Sequence, residues 1–276
     1  MPRRCIAALL AGLATASALP AAEASGEPVA ALARLELIDH GQGAEAWAEN
    51  LLSGPVEVVL RARGTAPRAQ PSLPARATVP ARSRVLLSRL EHGRAPLLLE
   101  VVPGHPGARP RDLEYAWPLG TRELRVTQGW GGGFSHADDE NRHAVDFAVP
   151  EGTPVLAARD GLVMQVEARF SGGGTQASEA DRANFIRVLH DDGTMALYAH
   201  LAPGGAQVRA GERVRRGQRI GTSGNTGRSG GPHLHFVVQA NRGLRLASIP
   251  FRMFGPGGIL RFSEAPSQEA AEAPRP

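Results

Sequence analysis

Apolar and polar residues alternate in short runs along most of this chain, and almost nowhere recur at the three-to-four spacing of an amphipathic helix. In "ARLELIDH", Leu35 and Leu37 alternate with charged residues. In "PVEVVLRAR", Val56, Val58 and Leu60 share one face, with Glu57 and Arg61 among the polar positions. "RVLLSRL" and "APLLLEVV" follow, separated by turns rich in Pro, Arg and Ser. Short strands punctuated in this way predict a small β-sandwich over residues 25–115.

The segment 103–120, "PGHPGARPRDLEYAWPLG", is dense in Pro, Gly and Arg and reads as a boundary. Beyond it, "DGLVMQV" predicts a strand, and "ANFIRVLHDDGTMALYAHL" a hairpin turning at Asp191, Asp192 and Gly193. "AGERVRRGQRIGTSGNTG" alternates short β segments with glycine turns, so residues 116–262 are expected to be mostly antiparallel β and the whole chain all-β. "GTSGNTGRSGG" lacks the Gly-Lys-Ser/Thr ending of a phosphate-binding loop and leads into a strand, not a helix. Residues 263–276 have no hydrophobic period and are expected to form a disordered tail.

Composition adds a compartment. Arg3 and Arg4, the apolar stretch "CIAALLAGLATASAL" and the small-residue "AEA" at 22–24 make residues 1–24 a candidate secretory signal. Export to the periplasm or the medium is the expectation. That stretch is short for a membrane span and no second one of 18 apolar residues follows, so the mature protein is expected to be soluble or peripheral to the envelope. The single cysteine, Cys5, falls inside the signal; disulfides, cysteine ligands and cysteine nucleophiles are thereby excluded from the mature chain. All 31 basic residues are arginine, at a net charge of +4, which suits weak attraction to an anionic polymer such as a bacterial cell wall. No basic cluster is interleaved with aromatic residues, which argues against nucleic acid.

Six of the nine histidines lie beyond residue 116. If "PHLHFVV" is extended, His233 and His235 point one way and Leu234, Phe236 and Val238 the other. The apolar face anchors the strand and the histidine face is left for chemistry. "YAHL" adds His200, and "GGGFSHADDENRHAVDFAVPEGTPV" adds His136, His143 and Asp146. Three ligands of imidazole and carboxylate type with one open position make a catalytic zinc site, which suits amide hydrolysis. His40, His92 and His105 are scattered and read as surface residues, and His190 as a strand-end residue. "ADDE", 137–140, reads as a solvated insertion more readily than as a calcium loop.

The segments "DFAVPEGTPVLAARDGLV", "LYAHL" and "RRGQRIGTSGNTGRSGGPHLHF" resemble, in order and spacing, the zinc endopeptidases of the lysostaphin and LytM type, peptidase family M23, which cut peptide bridges of peptidoglycan. The resemblance covers residues 117 to about 250. It implies a twisted antiparallel β-sheet, zinc held by Asp146 and His235, and His200 and His233 in the active site without being primary ligands. It also implies that His200 and His233 orient the attacking water, stabilise the oxyanion or shuttle the proton. The usual motif, His-x-x-x-Asp, departs here: four residues before Asp146 stands Arg142, and His143 is three before it, on the opposite face of an extended strand. A variant of the family, with an "FSH" element, a short insertion and a stretch like "NRHAVDFAVP", matches more closely. That match makes His136 the first ligand and gives position 143 a wall role. The expected function is hydrolysis of peptidoglycan cross-links, with the N-terminal sandwich positioning or restricting the site; whether that domain or the loop 169–184 blocks the groove is a question for the structure. The alternatives are a non-catalytic activator of cell-wall amidases and a zinc D,D-carboxypeptidase of another family. The latter ends its site with Glu and a Trp-His pair, where this chain has His-x-His.

Overall fold

A computed structural model describes residues 31–91 and 96–262; the expected signal segment, His92 and the expected tail lie outside the described residues. The chain is all-β, and the one helical turn among the described residues is the 3-10 segment Ala177–Glu179.

The early alternating runs build two sheets. One has the order Ala33–Asp39, Gly43–Asn50, Arg84–Glu91, Ala69–Gln70, and the other Ala75–Val79, Val56–Ala62, Leu97–Pro103. Ala46, Ala48, Leu87 and Leu90 of the first share a core with Val56, Val58, Leu60, Ala75 and Val79 of the second. The polar position expected at Glu57 is in fact buried, at 1 % exposure. Alternation presumes one wet face, but Val56–Ala62 is the central strand of its sheet, and the turn at 242–245 covers its second face. There the Leu244 N–H donates to Glu57 Oε2 at 2.6 Å, and Arg76 pairs with the same carboxylate.

The second region is organised by a larger antiparallel sheet. Its order is Arg213–Val214, Gly161–Glu167, Phe185–Leu189, Met195–Ala199, His233–Asn241, Val145–Ala148 and Val126–Gln128, with Leu246–Ser248 added beside His233–Asn241. Phe147, Leu234, Phe236, Val238, Ile186, Val188 and Tyr198 project from one face. They pack on the small sheet Pro154–Leu156, Arg219–Ser223, Leu201–Ala206 and on Tyr115, Leu119, Phe251 and Met253. Phe147, Leu234 and Phe236 are wholly buried, and each contributes roughly 1.5–3 kcal/mol by leaving water.

The opposite face of that sheet is divided. Strand alternation puts Met195 and Ala199 on it together, and Ala199 lies opposite His235 in the register. At the far end Met195, with Met164 and Leu246, joins the sandwich core. Hydrogen bonds fasten that junction: Ser53 N–H to the Met164 carbonyl at 3.0 Å, and Asn241 Nδ2 to the Gly104 carbonyl at 3.0 Å. From Asn241 back to His235 is six residues of strand, roughly 20 Å, so the sandwich docks well away from the histidines.

Candidate metal centre

Four neighbouring strands bring Gln128, Asp146, His235 and Ala199 into one row across the sheet, since Asp146 pairs with both Gln128 and His235, and His235 with Ala199. His233 lies two pairs further along, on the same face, opposite Ala148. His136 arrives from the loop before Val145–Ala148 and is wholly buried. His136 Nε2 lies 3.2 Å from Asp146 Oδ1, and His235 Nδ1 lies 2.9 Å from the same oxygen. One ligand atom from each of these three residues falls within 4.8 Å of the other two.

Hydrogen bonds to main-chain carbonyls set the imidazole protons. His136 Nδ1 is 2.8 Å from the Gly129 oxygen, His200 Nδ1 is 2.7 Å from that of Thr226, and His233 Nδ1 is 2.8 Å from that of Gly231. A carbonyl only accepts, so each Nδ1 carries hydrogen and each neutral ring presents the lone pair of Nε2. For His136 that lone pair faces a carboxylate oxygen. Two acceptors at this separation repel unless a proton or a cation lies between them. Two imidazoles and a carboxylate are the donor set of a zinc site, and the residues fit such an ion. Gln128 Nε2 donates to Asp146 Oδ2 at 3.3 Å and to Ser135 Oγ at 2.7 Å, holding the carboxylate so that Oδ1 faces the histidines.

Electrostatics agree with this arrangement. Burial alone would raise the Asp146 carboxyl, but the His136 and His235 nitrogens facing Oδ1, with a proton or cation between, outweigh it and hold the group well below the ordinary carboxylate range. Burial, reinforced by His233 and His235, pushes His200 down to about 3, and burial lowers His233 as well. The His200 and His233 rings lie 4.5 Å apart between centroids, and His200 is 5.8 Å from His235. His200 sits between two strands with φ of +59°, a left-handed conformation unusual for a residue with a side chain.

His143 stands elsewhere. Its ring meets Trp130 edge-on at 5.0 Å, and its Nδ1 lies 3.1 Å from Ser248 Oγ. The structure thus brings together His136, Asp146, His200, His233 and His235, and leaves His143 on the wall behind them. His40 and His105 are exposed, and His190 is buried behind the hairpin turn against Tyr115.

Sequence reasoning missed the residues that hold the histidine-bearing loops. Asn184, wholly buried, ties the Phe170 N–H and carbonyl together, and its own N–H donates to Thr226 Oγ1. Nothing in the local pattern marks it. The loop 169–184 is drawn against the segment after Ser223 by the pairing of Gly173–Gly174 with Gly227–Arg228. Glycine is required at 227, where φ is +77° and a Cβ would lie 2.6 Å from the Ala183 nitrogen.

An all-β scaffold with a buried imidazole and carboxylate triad and two further histidines defines a class, that of candidate metallohydrolases. Residues 140–245 match the model of peptidase family M23. The match begins downstream of His136. Among curated proteins, the DD-carboxypeptidase/endopeptidase Mpg of Neisseria meningitidis serogroup B is 41% identical over 100 residues, 35% of this chain and 20% of that one. The peptidoglycan DD-endopeptidase ShyA of Vibrio cholerae is 40% identical over 96 residues, again 35% and 20%. The chain thus spans about a fifth of the length of these relatives. Among solved structures, the catalytic domain of lysostaphin from Staphylococcus simulans is 34% identical, covering 43% of this chain and 81% of that one, with a TM-score of 0.33.

Proposed function

We propose that this protein is a zinc-dependent endopeptidase that hydrolyses peptide cross-links of bacterial peptidoglycan outside the cytoplasm. The observation that carries the reading is the meeting of His136, Asp146 and His235 around one carboxylate oxygen, with His200 and His233 beside them. Names of relatives such as peptidoglycan DD-endopeptidase support the choice of substrate.

His136, Asp146 and His235 would hold the zinc ion. When bound, it supplies the Lewis acidity that polarises a peptide carbonyl and acidifies water. His200 and His233, each with hydrogen on Nδ1, offer Nε2 as the atom that takes a proton from the attacking water. Once protonated, the same Nε2–H donates to the oxyanion or passes its proton to the departing amine. The complete triad counts against the alternative of a non-catalytic activator of amidases. The sandwich, fastened at the far end of the sheet, would position the peptidase region against the wall.

Purified protein is expected to carry stoichiometric zinc and to release cross-linked peptides from isolated sacculi, and a chelator should abolish that release. Absence of both metal and cleavage would overturn the reading.

A further inference from the structure

Two loops reach towards each other from opposite sides of the histidine cluster. On one side Phe134 is tied in by its N–H to Gln128 Oε1 at 3.3 Å, and Gln128 contacts Asp146. On the other, Arg228 precedes Ser229, whose hydroxyl lies 3.2 Å from His233 Nδ1. The two loops meet where the Arg228 guanidinium lies 4.7 Å from the centroid of the Phe134 ring. Each member of that stack is therefore one residue removed from a contact with the site.

The charge of Arg228 is otherwise unanswered. Arg76, Arg159, Arg169 and Arg245 each pair with a carboxylate. Among the described residues Arg228 has neither an ion pair nor a side-chain hydrogen bond, and its Nε is buried without a partner. Three residues earlier on the same loop, Asn225 Oδ1 is also buried and unpartnered. These are two of eight such atoms among the described residues, so it is the place of the stack, over the ring beside the histidine cluster, that points to a ligand. A guanidinium resting on a ring keeps its planar row of N–H donors for a carboxylate, which it can take through two parallel bonds.

Resting on the endopeptidase reading above, we infer that Arg228 is a specificity-determining residue that binds a free carboxylate beside the scissile amide. The fitting substrate is a peptide in which the residue supplying the scissile nitrogen keeps a free α-carboxylate. Phe134 holds the guanidinium beside the histidine cluster. Glycine-only bridges, which have no such carboxylate at an internal residue, are disfavoured.

The test uses two synthetic cross-linked peptides that differ only in whether that carboxylate is free or amidated. The zinc-loaded protein is expected to cleave the free acid with a kcat/KM roughly 10- to 100-fold above that for the amide. In Arg228→Gln the ratio should fall to about threefold or less, mostly through KM on the free acid, with zinc content retained. Arg228→Lys, which keeps the charge but loses the planar fork, should give an intermediate ratio, and it decides the matter if Arg228→Gln does not fold. Equal rates on both peptides in the unaltered protein, or a ratio unchanged in the variants, would overturn the role of Arg228 and leave the endopeptidase reading standing. Cleavage of neither peptide, nor of sacculi, would overturn both.

Discussion

At one end of the sheet face that bears His235, four imidazoles and a carboxylate crowd into a buried cluster; at the other, Met164 and Met195 sink into the sandwich core. The same strands supply both ends. His233–Asn241 runs from the cluster to the Asn241 hydrogen bond that fastens the sandwich, and Met195–Ala199 runs beside it in the opposite direction. At the apolar end, stability comes from area removed from water and needs only shape. At the polar end, like dipoles are forced together and each must be answered by a particular atom, as the Gly129, Thr226 and Gly231 carbonyls do. The contrast separates a region built to be stable from one built to hold something.

Three perturbations sharpen that contrast. The largest effect belongs to the polar end: His136→Ala should reduce zinc content, measured by atomic emission on dialysed protein, to background. His143→Ala should keep most of the metal, because His143 rests on Trp130 and Ser248. The reverse pattern would mean that the loop before Asp146 folds differently. Next, Met195→Ala at the apolar end should cost about 2–5 kcal/mol in denaturant unfolding, while zinc content and cleavage of sacculi at low temperature stay close to the starting protein. Loss of metal in that variant would show that the two ends are coupled along the strands.

The smallest effect is a pH dependence lying away from the cluster. Burial pushes His190 from 6.5 down to about 4. Between those values the unfolded chain binds a proton that the native one does not. Stability should therefore fall by up to about 3 kcal/mol as pH drops from 6.5 to 4, then level off. The difference in stability between the starting protein and His190→Gln, followed across that range, isolates this contribution from the other histidines. A flat difference would place the proton elsewhere.

Strand alternation could be read from residue order, whereas the choice of His136 over His143 came from the family resemblance. Alternation at His233 to Val238 assigned the histidines one face and Leu234 and Phe236 the other, and the structure has Leu234 and Phe236 wholly buried. The Asp191, Asp192, Gly193 turn lies between Phe185–Leu189 and Met195–Ala199, where the pattern put it. Glu57 was illegible because its second face is covered by a turn nearly two hundred residues later, and alternation cannot see a distant cover. Asn184 was illegible for a related reason: its partners, at Phe170 and Thr226, are loop atoms with no period to betray them. Arg228 and Phe134 were each in view, in "GRSGG" and "GGGFSH", but their meeting belongs to the third dimension.

The carbonyls that fix the histidine hydrogens carry a consequence for how such a site can change. Main-chain oxygens are common to every residue type, so the placement of hydrogen on His136, His200 and His233 does not depend on which side chains line the site; His235, whose Nδ1 lies 2.9 Å from Asp146 Oδ1, is the exception. Reach, charge and substrate preference are then free to drift while the acid–base inventory stays constant. For those three rings it takes a change that displaces the backbone to rewrite the inventory, such as a Cβ at Gly224, which would lie 2.4 Å from the Ala202 Cα. Such a scaffold separates the question of what is cut from the question of how, and leaves the first open to selection.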